Sequence, residues 1–164
     1  MTTLPLVSVI VPTFNCTRFV GEAISSVLSQ DYSNLELIVV DDGSTDDTVE
    51  RVQQYATRVQ VLRLDNAGPA VARNRGASAA RGEFLAFLDC DDVWLPGKLT
   101  AQVQHLLRNP GVGLVHGFEI DWYPDKTGAY PSPSNYVTSH DSVKQIESNS
   151  GWVYPELLSS FWLC

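Results

Sequence analysis

The stretch FLAFLDCDDVW, from Phe84 to Trp94, sets five apolar residues directly before three carboxylates within four positions. Five apolar residues between Gly82 and an acidic cluster are too few for a helix and predict a strand buried on both faces. Like charges so close repel, and some take up protons unless a cation lies among them. An acidic loop at the mouth of a buried strand therefore points to a divalent ion. Oxygen ligands suit Mg²⁺ or Mn²⁺ better than zinc, with one or two carboxylates completed by phosphate oxygens. An isolated Asp-x-Asp is more often a solvated turn, so the neighbouring segments decide.

Upstream, the same unit occurs three times. Leu6 to Val11 is a β-branched run that predicts a buried first strand, ending in Pro12, Thr13, Phe14 and Asn15. From Thr17 to Gln30, apolar residues at three- and four-residue spacing predict a helix with Thr17 as N-cap. Leu35 to Val40 predicts a second strand, stopped by Asp41, Asp42, Gly43 and Ser44. A helix capped by Thr45 or Asp46 runs to about Tyr55, and Val59 to Leu64 reads as a third strand ending at Asp65, Asn66, Ala67 and Gly68. Pro69 suits the first turn of a helix to Ala80, in which Ala72, Gly76 and Ala79 allow close packing on a sheet. Gly82 closes it and Phe84 opens the fourth strand.

Strands alternating with helices predict right-handed crossovers and a three-layer α/β/α fold around a mainly parallel sheet. Ligands of such sheets bind beyond the carboxyl ends of the strands. Thr13 to Asn15, Asp41 to Ser44, Asn66 to Gly68 and Asp89 to Asp92 all follow strand ends, so they converge on one edge. That convergence favours a metal and phosphate site over a chance acidic turn.

Beyond Trp94 the pattern weakens. Pro96 to Arg108 predicts an amphipathic helix, Val112 to Trp122 a strand and Asp125 to Gly128 a turn. Residues 131–140, rich in Pro, Ser and Asn, read as a long loop, and Trp152 to Leu163 as a short helix. A chain ending on Phe161, Trp162, Leu163 and Cys164 is unusually apolar at its terminus, from which we expect a piece of a longer protein. That end is also a candidate surface for homo-oligomerisation.

The composition excludes some partners. With 11 basic and 19 acidic residues the 164-residue chain has a formal charge of -8, which argues against nucleic acid. No charged leader precedes an apolar core and no apolar run approaches membrane-spanning length, so a soluble, cytoplasmic chain is expected. Cys16, Cys90 and Cys164 are scattered and odd in number, which supports neither a disulfide framework nor a zinc site.

Four segments together carry a family resemblance: VSVIVPTFN (Val7 to Asn15), IVVDDGSTDD (Ile38 to Asp47), NAGPAVARNRG (Asn66 to Gly76) and GEFLAFLDCDD (Gly82 to Asp92). In order and spacing they resemble the nucleotide-binding half of family 2 glycosyltransferases, which have the Rossmann-like GT-A fold. The resemblance implies inverting transfer of a sugar from a nucleoside diphosphate sugar, UDP-sugar favoured, with Mn²⁺ or Mg²⁺. It implies a single GT-A domain over 1–164, incomplete, with nucleotide binding in 1–109 and the start of an acceptor-side part in 110–164. The acceptor, a sugar, lipid-linked sugar or polysaccharide, is left open, and a full-length parent could lie at the inner face of a membrane.

Residue by residue, the resemblance sets Pro12, Thr13 and Asn15 along the nucleoside, with Phe14 where many members have tyrosine. Asp42, with Asp41, would accept from the base, and Asn66, Gly68, Arg73 and Cys90 would also line the nucleotide sugar. Asp89 and Asp91 form the Asp-x-Asp element, with Asp91 or Asp92 on the metal and Asp89 shared between metal and ribose. Ordinary roles compete: Asp42 to Thr45 as a turn and cap, Arg73 as a surface ion pair. The catalytic base of the family lies further along, and Glu119, Asp121, Asp125 and His116 match nothing that would supply it. Three other readings stay open. They are a nucleotide-sugar-binding or assembly fragment without activity, a haloacid-dehalogenase-like phosphatase with Asp89 to Val93 as its nucleophile loop, and a receiver-like domain built on Asp41 and Asp42.

Overall fold

The computed structural model describes residues 4–117 and 123–130. Four parallel strands, β1 (Val7–Thr13), β2 (Leu35–Asp41), β3 (Gln60–Arg63) and β4 (Phe84–Phe87), stand in the order β3-β2-β1-β4. Between them run α1 (Val20–Leu28), α2 (Thr48–Gln53) and α3 (Pro69–Ala79), and α4 (Lys98–Arg108) follows β4. This is the expected three-layer arrangement.

The two central strands form the core. Every residue of β1 is buried, and β2 is buried from Leu37 to Asp41. Val7, Val9, Val11, Leu37 and Val39 face α1, α2 and α4, while Ile10, Ile38 and Val40 face α3. Burying each such side chain contributes about 1.5–3 kcal/mol, so β1 and β2 supply the rigid part of the sheet. Close approach of α3 depends on Gly76, where an added Cβ would lie 2.4 Å from Ile10 Cγ2.

The structure corrects the expectation for β4. Leu85 and Phe87 are 47% and 46% exposed, so the strand is not buried on both faces. The register pairs Leu85 with Ser8 and Phe87 with Ile10, which puts both on the α3 side. There α3 packs over β1 and β2 and leaves β4, the edge strand, uncovered among the described residues.

Helix α1 is shorter than predicted, and Thr17 is not its N-cap. Phe19 holds that position without a side-chain cap, because residues 17–19 form a turn whose amides at Phe19 and Val20 donate to the Cys16 carbonyl. Helix α4 begins at Lys98, after Gly97 at φ 80°. Residues 112–117 form no strand, and the remainder of that predicted strand lies outside the described residues. So do the predicted loop of 131–140, the helix of 152–163 and the apolar terminus.

At the opposite end of the sheet from the strand-end loops, Ser8 Oγ donates to Glu36 at 2.5 Å and accepts from Gly82 N at 2.8 Å. Arg81 completes this cluster with bonds to both Glu36 oxygens. Burial raises the Glu36 pKa, but the donors from Ser8 and Arg81 outweigh it and hold the carboxyl below its usual range.

The chain divides into compact units at 1–123 and 124–164. In the second, the predicted turn is present: Gly128 N donates to the Asp125 carbonyl at 2.9 Å, and Asp125 Oδ1 accepts from Thr127 N at 2.8 Å.

Candidate functional site

All four strand-end loops meet at a cavity of about 320 Å³. Its wall contains Pro12 and Thr13 at the end of β1, Phe14 just beyond, Asp42 after β2, Asn66 and Gly68 before α3, Arg73 on α3, and Asp89, Cys90 and Asp91 after β4. Of the predicted residues, Asn15, Asp41 and Asp92 do not line it.

Asp42 is the joint of the site. Its carboxylate accepts from Ala67 N at Oδ1 and from Gly68 N at Oδ2, both at 2.7 Å. Asp42 N in turn donates to the Thr13 carbonyl at 2.8 Å. Asp42 thereby joins three segments, holding the 66–68 loop by two charge-assisted bonds, each roughly twice as strong as a neutral one, and the end of β1 by its backbone amide. Each carboxylate oxygen keeps a further lone pair for a ligand donor. Gly68 sits at φ 94° and ψ 159°, a region open to glycine alone, so the loop can pass close to a ligand there.

Asp41 has a different role. It is 1% exposed, accepts from Ser44 N and pairs with Arg63 Nε at 3.3 Å. It fixes the turn after β2 from the side away from the cavity. Asn15, at φ 49°, joins the first two loops: its amide donates to Ser44 Oγ at 2.9 Å and its Oδ1 accepts from Thr45 N at 2.8 Å. Asp46 accepts from Thr48 N at 3.1 Å and from Thr17 N at 3.3 Å. Desolvation opposes its charge, but the Thr17 and Thr48 hydroxyls, together with these amides, prevail and hold its pKa at about 2.

Across the cavity, Arg73 pairs with Asp89. The short β4 alone does not position the acidic loop. Trp94 N donates to Ser26 Oγ at 3.1 Å, and Gln30 receives Leu99 N at 3.1 Å while donating to the Leu95 carbonyl at 3.0 Å. Sequence reasoning missed Ser26 and Gln30. Only their place on the last turns of a helix, polar among inward apolar residues, hinted at such a role.

Beneath the loop, the Cys16 thiol donates to the Cys90 carbonyl at 3.2 Å. The neighbouring Cys90 thiol, and then burial, push its pKa up. The neighbouring Cys16 thiol in turn holds the Cys90 pKa down, against burial. Thr13 Oγ1 is the one buried side-chain oxygen or nitrogen among the described residues that lacks a partner at normal hydrogen-bond geometry. A buried hydroxyl left so at a cavity wall suits a ligand donor or acceptor.

No group of three or more His, Cys, Asp or Glu side chains is gathered around a common point among the described residues. Of the three carboxylates on the cavity wall, Asp42 is held by two amides, which leaves Asp89 and Asp91 as donors for a metal. Two carboxylates fit Mg²⁺ or Mn²⁺ bound in part by phosphate oxygens and water, and do not fit a cage made by protein alone.

Comparison with known proteins agrees with this architecture. Residues 8–163 match the family model of glycosyl transferase family 2. The chain is 43% identical over 118 residues to the Escherichia coli UDP-Glc:alpha-D-GlcNAc-diphosphoundecaprenol beta-1,3-glucosyltransferase WfgD, covering 70% of this chain and 46% of WfgD. S. aureus TarS 1-349, solved with UDP-GlcNAc, superposes with a TM-score of 0.60 at 29% identity, over 71% of this chain and 38% of TarS 1-349. The mannosyltransferase PcManGT of Pyrobaculum calidifontis, solved with GDP-Man and Mn²⁺, gives 0.60 at 32% identity, over 64% of this chain and 33% of PcManGT. The chain spans about half the length of the curated relatives it matches. With a parallel α/β/α sheet of the GT-A type and a family match that runs over nearly all its residues, the chain belongs to glycosyl transferase family 2.

Proposed function

We propose that this chain is the donor-binding part of an inverting glycosyltransferase that uses a UDP-sugar and a divalent metal, Mn²⁺ or Mg²⁺. The observation that carries the reading is the cavity itself. A carboxylate at its base (Asp42), a guanidinium (Arg73) and an Asp-x-Asp pair (Asp89, Asp91) face one space at the strand ends.

In this reading Asp42 accepts a base N–H with its remaining lone pairs, and Thr13 Oγ1 and Asn66 meet the nucleoside. Phe14, 45% exposed at the rim, offers its ring face. Asp91 holds the metal together with Asp89, and Asp92 supports the loop. When bound, the metal neutralises charge developing on the leaving diphosphate. Arg73 leaves Asp89 for a phosphate or ribose oxygen as the donor enters.

Inversion requires a carboxylate on the far face of the sugar to take the acceptor proton. The cavity carboxylates are Asp42, committed to two amides, and Asp89 and Asp91, committed to the metal. The base is therefore proposed to lie outside the described residues. The WfgD name specifies a sugar linked to undecaprenol through diphosphate, which supports a lipid-linked acceptor for this chain as well. The family match leaves the phosphatase and receiver readings without support.

The test is calorimetric titration of UDP with and without Mn²⁺, repeated with Asp91→Ala. Saturable binding that needs both metal and Asp91 is expected. Binding that ignores both would end this assignment, and parallel GDP and dTDP titrations decide the base.

A further inference from the structure

Two thiols 74 positions apart in sequence meet under the acidic loop. Cys16 is 8% exposed, and its sulfur lies 3.2 Å from the Cys90 carbonyl oxygen, which brings its thiol against residue 90 itself. Neither is in a disulfide. Cys90 is partly exposed on the cavity wall between Asp89 and Asp91, so a small oxidant that enters the cavity reaches Cys90 first. We propose that Cys16 and Cys90 form a reversible disulfide that switches off the nucleotide-sugar site, with a peroxide as the oxidant. The regulatory half rests on the donor-site reading above; formation of the disulfide does not.

The chemistry closes without another partner. The Cys90 sulfur attacks one oxygen of hydrogen peroxide, the O–O bond breaks, and Cys90 sulfenic acid and one water result. The Cys16 sulfur then attacks the Cys90 sulfur, the S–O bond breaks and a second water leaves. The two thiols lose two hydrogens and two electrons, and the peroxide is reduced to two waters. A dithiol reductant reverses the bond by exchange.

Closing the bond moves the acidic loop. A disulfide requires sulfurs about 2 Å apart at a restricted dihedral, closer than two free thiols can stand. The thiol bond from Cys16 to the Cys90 carbonyl is also lost. Both ends of the loop are fixed, by Leu88 N on the Ile10 carbonyl at 3.1 Å and by Trp94 N on Ser26 Oγ at 3.1 Å. The displacement therefore falls on residues 89–92, where Asp89 and Asp91 flank the moving sulfur. Misplacing binding groups by about 1 Å is enough to cost on the order of a hundredfold in a positioned site. Cys16 is buried, so this pairing competes well against larger thiols that cannot enter.

The experiment treats the full chain with hydrogen peroxide and follows it by intact mass, peptide mapping and UDP titration in Mn²⁺. Expected are a loss of two hydrogens, a Cys16–Cys90 cross-link, at least tenfold weaker UDP binding, and recovery with dithiothreitol. In Cys16→Ser the cross-link is absent, and the sulfenic acid at Cys90 is trapped by dimedone. Cys16→Ala serves the same purpose should the serine variant fail to fold. Absence of the Cys16–Cys90 cross-link, or a cross-linked chain that binds UDP as the reduced one does, overturns the inference. A reduced chain that does not bind UDP overturns the donor-site reading and the regulatory half with it, while the mass data still decide the disulfide.

Discussion

Arg73 on α3 and Asp89 beyond β4 form an ion pair across the cavity, joining the two walls that carry the site's positive and negative groups. Their side chains are 28% and 49% exposed, so solvent limits the pair to about 1 kcal/mol or less. Arg73→Ala is expected to shift unfolding free energy by under about 1 kcal/mol while weakening UDP binding about tenfold or more. Urea denaturation and calorimetry on the same sample separate the two effects. A loss of stability with unchanged UDP affinity would reduce Arg73 to a surface partner.

Asp42 presents the opposite balance. Asp42→Ala strands two amides that the carboxylate now satisfies, at a cost on the order of 3 kcal/mol. Asp42→Asn keeps one acceptor and should cost less. Both are expected to lose nucleotide affinity, since the 66–68 loop is released. Urea midpoints that stay at the wild-type value in both variants would refute the joint.

Gly76→Ala tests the contact of α3 with the sheet. Alanine favours a helix over glycine by about 1 kcal/mol. Here its Cβ would meet Ile10 at 2.4 Å and Val40 at 3.1 Å, so net destabilisation of about 1–3 kcal/mol is expected. Circular dichroism with urea reads the sign directly.

Much of this was legible in the sequence, and particular residues show why. The runs Val9 to Val11 and Leu37 to Val40, rich in Val and Ile, read as buried strand, and both are central. The run at Phe84 to Leu88 is as apolar yet lies at an edge, because neighbours in space rather than composition decide what covers a face. The cavity residues were legible as a group, since loops after parallel strands share one edge. Their division of labour was not: Asp41 and Asp42 are adjacent carboxylates, but strand alternation sends one toward Arg63 and the other toward the 66–68 loop. The Cys16–Cys90 contact was hidden because it joins loops whose spacing only the folded sheet defines.

Acid should loosen the turn between β2 and α2. The folded-state pKa of Asp46, about 2, lies below the ordinary aspartate value of about 3.9. Its contribution is therefore complete above about pH 4 and is lost as pH falls toward about 2. Asp46→Asn is expected to flatten the pH dependence of unfolding in that window alone, measured by urea denaturation at a series of pH values. An unchanged slope would mean that the Thr17 and Thr48 bonds do not persist in solution.

The unequal support of the two cavity walls has a kinetic corollary. Thr13 ends β1 and Asp42 directly follows β2, strands whose amides can exchange with deuterium only when the whole core opens. Asp89 and Asp91 extend a four-residue edge strand, so their segment opens in far smaller excursions. Ordering that segment is then the main entropic charge on donor capture, and the affinity of the site is set by how still its acidic wall is held rather than by the depth of its base.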